Sequence, residues 1–389
     1  MSEVPKILVG MLGYSFMGKA HSNAYRQMPH FFYPPPAMPV MKMICGIGAA
    51  EVQKAQDQLG WEEGTESWEE LVARDDIQVF DNCGPNNIHM DPCIAAAEAG
   101  KHIICEKPLA LNAKDAALMA HAVSQSGVKA MVAFNYRRVP AIVLAKKLID
   151  DGMIGKIYHY RAVYLQDWIM DPNFPLVWRL QKELAGSGPN GDLNAHILDL
   201  SNFLVGKVSK VCGMTETFIK ERPLEGPAGG ALGAAKASGK KMGKVTVEDA
   251  AIFMAKFQNG ALGTFEATRF AKGRRNYNRI EINGSKGSLA FNLERFNELE
   301  FFSEDDPKFA QGFRTINVTE AVHPYTANWW PAGHIIGWEH TFIHEIFEFF
   351  KCIAEDTEVT PNFDDGVYNN KVLDAVLESA AKGTWINIS

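Results

Sequence analysis

The stretch "GMLGYSFMGKAHS", Gly10 to Ser22, follows closely on the apolar run "KILVGML" near the start of the chain. A G-x-G-x-x-G pattern would set glycine at 13, 15 and 18, but position 15 is serine. In such a loop the first glycine makes a tight turn and the second lets backbone approach a pyrophosphate. The third lets the following helix pack on the strand. Gly13 and Gly18 fill the first and third positions. Ser15, with one of the smallest side chains, still leaves room at the second. An apolar run before the loop and the helix-compatible "FMGKAHSNAYRQM" after it read as strand, turn, helix. A plain glycine turn is the other reading, and the series of strands and helices downstream argues against it.

The same alternation continues. "VMKMICGIG", "QVFDNCGP", "HIICEKP" and "KAMVAFNY" read as further strands, separated by helices through "AAEVQKAQDQLG", "DPCIAAAEAG" and "NAKDAALMAHAVSQSG". Such a series predicts a parallel sheet with helices on both faces. The tract "FFYPPPAMP", Phe31 to Pro39, is a Pro-rich loop within the first unit. After about residue 140 the texture changes to a helix, "VPAIVLAKKLIDDGMIG", and alternating aromatics in "KIYHYRAVYLQDW". A helix through "GDLNAHILDLSNFLVG" follows, then strand-like runs, with the Asn-Gly of a tight hairpin in "FQNGALGTFEAT". The prediction is an α/β Rossmann N-terminal domain over 1–138. An α+β C-terminal domain over 139–389 carries a large, mainly antiparallel open sheet. The small-residue tract 226–244 reads as a mobile surface loop.

The 389 residues, 47% hydrophobic and 22% charged, suit two soluble domains. A net charge of −7 argues against nucleic acid or an anionic membrane as partner. Six cysteines without a C-x-x-C pair read as reduced thiols. "MSEVPKILVGML" has neither the basic start nor the long apolar stretch of a secretory signal, and no apolar run is long enough to span a bilayer. The expected location is the cytoplasm.

Several residues suit chemistry. Lys107 ends the fourth strand, at the carboxyl edge where α/β sheets bind ligands. Its ammonium can stabilise a developing alkoxide, and Pro108 restricts its backbone to extended geometry. Asp192 and His196, four apart, are expected on one face of a helix. The preceding "AGSGPNG" would let a ligand approach the start of that helix. Histidine suits a base because its ordinary pKa lies near neutrality. Asp199 is either a supporting hydrogen-bond partner or a solvent-facing carboxylate. In the second strand, Gly46 stands where an acid would bind the ribose hydroxyls of NAD, and Glu51 lies further along. No arginine stands nearby for a 2′-phosphate, so this strand end excludes neither NAD nor NADP. "EHTFIHE", Glu339 to Glu345, has His340 and His344 at i, i+4 but lacks the H-E-x-x-H order, so it reads as an ordinary helix with no metal.

"GYSFMGKAHS", "CGPNNIHM", "HIICEKPLALNAKDA" and "GPNGDLNAHILDLSNFLVG" together resemble the Gfo/Idh/MocA oxidoreductases over essentially the whole chain. E-K-P with a downstream D-x-x-x-H is the specific part. Within that family, "VAFNYRR", "YLQDW", "WRLQKELAGSG" and "HPY" are similar to levoglucosan dehydrogenase and related sugar or glycoside 3-dehydrogenases. The resemblance implies oxidation of a secondary ring hydroxyl, C3 of a glucose-type unit, with NAD(H) expected over NADP(H) and compatible with tight retention. It implies Lys107, Asp192 and His196 as catalytic residues. Cofactor contacts are expected from Gly13, Ser15, Phe16, Met17, Gly18, Gly46, Pro85, Asn86, His89, Glu106, Lys107 and Asn135. Tyr164, Gln166 and Trp168 share one strand face, as a sugar platform or simply as core. The likeness adds Tyr136, Arg179, Asn194 and His323 on the substrate side. Such proteins assemble through the antiparallel sheet, so a homo-oligomer, dimer, tetramer or higher, is expected. Two alternatives stay open: an inositol dehydrogenase, and a non-catalytic dinucleotide-binding regulator. Retention of Lys107, Asp192 and His196 together speaks against the regulator.

Overall fold

The opening apolar run forms strand Lys6–Leu12 (β1), with Val9 and Met11 fully buried. With Met38–Cys45 (β2), Glu63–Thr65 (β3), Val79–Asn82 (β4), His102–Cys105 (β5) and Ala130–Val132 (β6) it makes a six-stranded sheet, ordered β3-β2-β1-β4-β5-β6. Every neighbouring pair is parallel. Strands covered on both faces need continuous apolar runs, and Ile103, Ile104 and Cys105 of β5 are all buried. The order reverses between β1 and β4, the point at which doubly wound sheets bind ligands. The three-residue β3 carries no apolar signal, and the sequence reading passes over it.

The computed structural model describes residues 4–226 and 237–388. Its contacts divide the chain into two units, Met1–Asn135 with Trp338–Asn370, and Tyr136–Gly337 with Lys371–Ser389. The first division falls at Asn135/Tyr136, beside the expected 138/139, and the first unit also takes in Trp338–Asn370. The cause is aromatic. Helix His340–Ala354 stacks Phe347 on Phe32 (4.1 Å between ring centres) and sets Phe350 edge-on to Tyr25 (5.9 Å) along helix Phe16–Phe31.

The second unit contains Ile157–Leu165 (β7), Val208–Glu216 (β8), Glu221–Glu225 (β9), Ala237–Lys244 (β10), Ala250–Phe257 (β11) and Leu262–Thr268 (β12). Tyr277–Gly284 (β13), Gly287–Asn292 (β14), Glu298–Ser303 (β15), Arg314–Asn317 (β16) and Ile386–Asn387 (β17) follow. Nine of these form one sheet, ordered β16-β15-β14-β13-β7-β12-β11-β8-β17. Only β7 and β12 run parallel in it. Alternation assigns its faces: Phe253 of β11 and Phe265 of β12 point inward and stack at 4.4 Å, while Ile252 and Met254 point outward. Within the 226–244 tract read as a mobile loop, residues 237–244 are strand β10, antiparallel to β9, and residues 227–236 lie outside the described residues. Just after β10, Val245 and Val247 join Leu176, Val177 and Leu180 in a small apolar core, which gives the strand a base.

Phe350 is fully buried on the returning helix. Phe350→Ala is expected to lower the free energy of unfolding by about 3–5 kcal/mol in urea titrations. A loss below about 1 kcal/mol would mean the helix contributes little to the first unit.

Candidate functional site

In the first unit β1 runs into Gly13, whose φ of +101° favours glycine. A Cβ there would lie 2.7 Å from the Cys83 carbonyl oxygen, just after β4. A Cβ on Gly18 would collide with the Gly13 carbonyl oxygen. Turn, helix and neighbouring loop therefore meet backbone to backbone. Ser15 is the N-cap of helix Phe16–Phe31; its carbonyl accepts the Lys19 N–H at 2.9 Å, and its hydroxyl makes no capping bond. A helix start leaves first-turn N–H groups, here including Phe16 and Met17, as donors for phosphate. A dinucleotide fits such a cradle. The Phe16 ring, 46% exposed, stacks on Trp338 at 5.2 Å.

At the end of β2 a Cβ on Gly46 would strike the ring of Tyr14, whose hydroxyl donates to the Ile47 carbonyl at 2.6 Å. Glu66 accepts the Gly48 N–H at 2.9 Å, and the Glu51 carboxylate folds back against Gly48. The helix thus returns Glu51 to the strand end from which its sequence distance seemed to remove it. Burial, then Glu51 and Glu66, raise the pKa of the Tyr14 hydroxyl.

Pro85 and Asn86 open the turn after β4, Glu106 and Lys107 follow β5, and Asn135 follows β6. The expected cofactor residues therefore gather at the carboxyl ends of β1, β2, β4, β5 and β6. Two of them also hold buried contacts within the protein. His89, expected beside the cofactor, is fully buried, with Nδ1 2.9 Å from the Pro108 carbonyl and Nε2 3.0 Å from that of Gly84. It is a strut between two loops, and burial lowers its pKa. Asn135 is buried and donates to Thr341 Oγ1 at 2.8 Å, tethering β6 to the returning helix. Glu106 accepts the Lys107 N–H at 3.1 Å and faces His21 at 3.2 Å. The Lys107–Pro108 peptide is cis. Among the described residues, metal-ligating atoms converge at His21, Asp81 and Cys83, where they hydrogen-bond one another. His344 of "EHTFIHE" is buried edge-on to Phe32 in the helix.

In the second unit a chain of contacts joins most of the expected substrate residues. The Tyr164 hydroxyl lies 2.9 Å from that of Tyr136 and donates to Asn276 Oδ1 at 2.7 Å. Gln166 donates to the same oxygen at 3.0 Å, and Trp168 Nε1 donates to Gln166 Oε1 at 2.8 Å. The Arg269 guanidinium sits 5.3 Å from the centre of the Trp168 ring and donates to Asp192 Oδ2 at 2.7 Å. The His196 ring packs at 4.6 Å on Tyr136 and 5.9 Å on Tyr164. Burial, reinforced by Tyr136, holds the Tyr164 hydroxyl well above its ordinary pKa.

Three expectations change here. β7 ends at Leu165, so Gln166 and Trp168 are not on a strand face with Tyr164; Asn276 gathers them instead. Asp192 lies in a π-helical turn, Asn190–Asn194, that precedes the α-helix Ala195–Leu204 holding His196. Widened turns of this type break the i, i+4 register, and the carboxylate goes to Arg269. Asp199 is not solvent-facing: it forms a pair with Arg137 at 2.6 Å, both side chains no more than 4% exposed.

Residues 7–134 match the oxidoreductase family, NAD-binding Rossmann fold, and residues 142–290 match the GFO/IDH/MocA C-terminal domain. The chain is 46% identical to levoglucosan dehydrogenase from Pseudarthrobacter phenanthrenivorans over 98% of its own length and 97% of the relative's. The chain belongs to the Gfo/Idh/MocA oxidoreductases. A crystal structure of an oxidoreductase domain protein from Kribbella flavida superposes with a TM-score of 0.93 at 47% identity, covering 99% of this chain and 100% of that one. Levoglucosan dehydrogenase in complex with NADH and levoglucosan gives 0.93 at 45% identity, covering 99% of each.

In this Gfo/Idh/MocA chain, Arg269, Asn276 and His21 carry contacts that motif reading missed. Arg269 had a signal: Gly263, Phe265 and Ala267 are the inward residues of β12, and Arg269 continues their parity. A charge on a buried parity demands a partner. Two further expected substrate residues hold protein contacts. Asn194 is fully buried, its amide 3.3 Å from Asn190 and 3.4 Å from the Ala251 carbonyl, packing the π turn. His323 accepts the Glu320 N–H at 3.0 Å and closes its own turn. Arg179 stacks on Trp178 at 4.2 Å, and its carbonyl faces Arg269 at 3.5 Å. No described helix is long and apolar enough to cross a membrane.

The buried pair makes a discriminating prediction. Asp199→Ala removes the buried carboxylate paired with Arg137 and is expected to cost about 3–5 kcal/mol of unfolding free energy in urea. A catalytic role for Asp199 would instead remove turnover at unchanged stability.

Proposed function

We propose that this protein is an NAD-dependent dehydrogenase that oxidises a secondary hydroxyl of a pyranose sugar, anhydrosugar or glycoside, at C3 of a glucose-type ring. The observation that carries this reading is the convergence of an imidazole, a carboxylate, an amide and an indole in one contact chain: His196, Asp192, Gln166 and Trp168. Alcohol oxidation removes a proton from oxygen as hydride leaves the same carbon. His196 accepts that proton. For Lys107 the role is that of a cation that stabilises developing alkoxide charge. Asp192, ion-paired with Arg269, remains an acceptor and binds an adjacent ring hydroxyl. Trp168 offers an apolar surface to the C–H face of the sugar. Bound NAD supplies the hydride acceptor, and the Gly13–Gly18 loop, the helix start behind it and Glu106 hold it. Glu51 and Glu66 at the end of β2 would repel a 2′-phosphate, which favours NAD(H) over NADP(H). The near-full-length likeness to a levoglucosan dehydrogenase supports an anhydrosugar substrate.

The test monitors reduced nicotinamide by absorbance, with NAD or NADP against levoglucosan, glucose, aryl glucosides and myo-inositol. Turnover of a glucose-type member with NAD is expected. Turnover of inositol alone would replace this reading with a cyclitol dehydrogenase. Silence throughout, with no nucleotide released on denaturation, would favour a regulator. His196→Asn is expected to lower kcat roughly 10²–10⁴-fold while NADH binding persists.

Self-association through the outer face of the nine-stranded sheet completes the proposal. Met214, Ile252, Met254 and Leu262 project there, each 42–67% exposed, on adjoining strands. Replacing Ile252 and Met254 together by Glu is expected to yield a smaller species in light scattering with an unchanged circular dichroism spectrum. An unchanged mass would remove this face from the assembly.

A further inference from the structure

Both ring nitrogens of the buried His21 face carboxyl oxygens. Nδ1 lies 2.9 and 3.1 Å from the two oxygens of Asp81, and Nε2 lies 3.2 Å from Glu106 Oε1. A neutral imidazole carries one N–H and can donate to only one of these partners. Asp81 is committed as an acceptor: it also takes the Tyr25 hydroxyl at 2.8 Å and the Cys83 thiol at 3.4 Å. Burial pushes that thiol up, so Cys83 stays a donor. One proton therefore belongs on Nδ1. The other lies between Nε2 and Glu106, on the ring as an imidazolium or on the carboxyl as an acid.

The groups around the ring decide between them. His21 and Tyr25 stand on helix Phe16–Phe31, Asp81 and Cys83 at the end of β4, and Glu106 after β5. From the returning helix, Phe342 covers the ring at 5.5 Å, and Glu345 adds negative field beside Tyr25. Burial disfavours a charged ring, but Asp81 above all outweighs it and holds the His21 pKa well above the ordinary value. Glu106 in turn is engaged at both oxygens, by His21 and by the Lys107 N–H at 3.1 Å.

We propose that His21 is a buried imidazolium that donates to Glu106 and thereby fixes the backbone that presents Lys107. Its importance for turnover rests on the role given to Lys107 above. His21 is a positioning residue, since it acts through Glu106. Linkage gives the sign of its effect on stability. The ring titrates near about 6.5 when unfolded and higher when folded. Its contribution is therefore complete below about pH 6.5 and is lost as pH rises through the folded value.

The decisive experiment is NMR of protein labelled with ¹⁵N in its histidine rings, at about pH 8. One of the eleven histidines is expected to show both ring nitrogens protonated, and His21→Gln is expected to abolish that signal. A neutral His21 ring would overturn the proposal. If the variant does not fold, neutron diffraction of the unsubstituted protein at the same pH reads the same two protons. In a folded His21→Gln, kcat is expected to fall roughly tenfold to a hundredfold. The sugar KM should stay unchanged. An imidazolium signal together with unaltered kcat would overturn the positioning role. Absence of dehydrogenase activity in the unsubstituted protein would sink the proposed function instead, and leave the ring's proton count to stand on its spectrum.

Discussion

The first unit depends on one steric constraint: there is no space for a side chain between the Gly13 carbonyl and the helix that begins three residues later. Gly18 meets that carbonyl, and Gly13 meets the backbone after β4. Strand, turn, helix and the neighbouring loop are thereby locked at the point where strand order reverses. The serine at position 15 occupies the N-cap position of the helix and makes no side-chain capping bond. A pattern match alone would mark it as a defect.

The second unit is organised by a buried guanidinium. Arg269 holds the carboxylate of Asp192 on one side and faces the indole of Trp168 on the other. A buried arginine without an anion would be strongly unfavourable, so the pair specifies where the π turn lies as well as what it carries. Glu248 completes the arrangement by accepting the Asn190 N–H at 2.9 Å, and burial raises its own pKa. The turn that carries Asp192 is thus held by Arg269 and Glu248, both far from it in the chain.

This dependence on distant partners separates the legible parts of the chain from the rest. Strands β1, β2, β4, β5 and β6 announce themselves because parallel strands are apolar on both faces, and the glycine loop because its steric needs are local. The spacing of Asp192 and His196 misled because the residue that sets the turn, Glu248, is 58 positions away from Asn190. The roles of His89 and Asn194 were invisible for the same reason: burial and carbonyl partners come from other elements. The return of helix His340–Ala354 has an apolar face that any reading would find, but nothing local names the surface it covers.

That return has a consequence for how such chains recombine. The first unit is closed by aromatics encoded some two hundred residues after its last strand, and the second gains its edge strand β17 only at Ile386–Asn387. A single crossover between two related genes would therefore exchange the nucleotide loop while leaving behind the helix that packs against it. Phe32 would meet a foreign partner in place of Phe347. Lineages that trade units intact must do so by two cuts, or else let the two faces of that aromatic seam drift together.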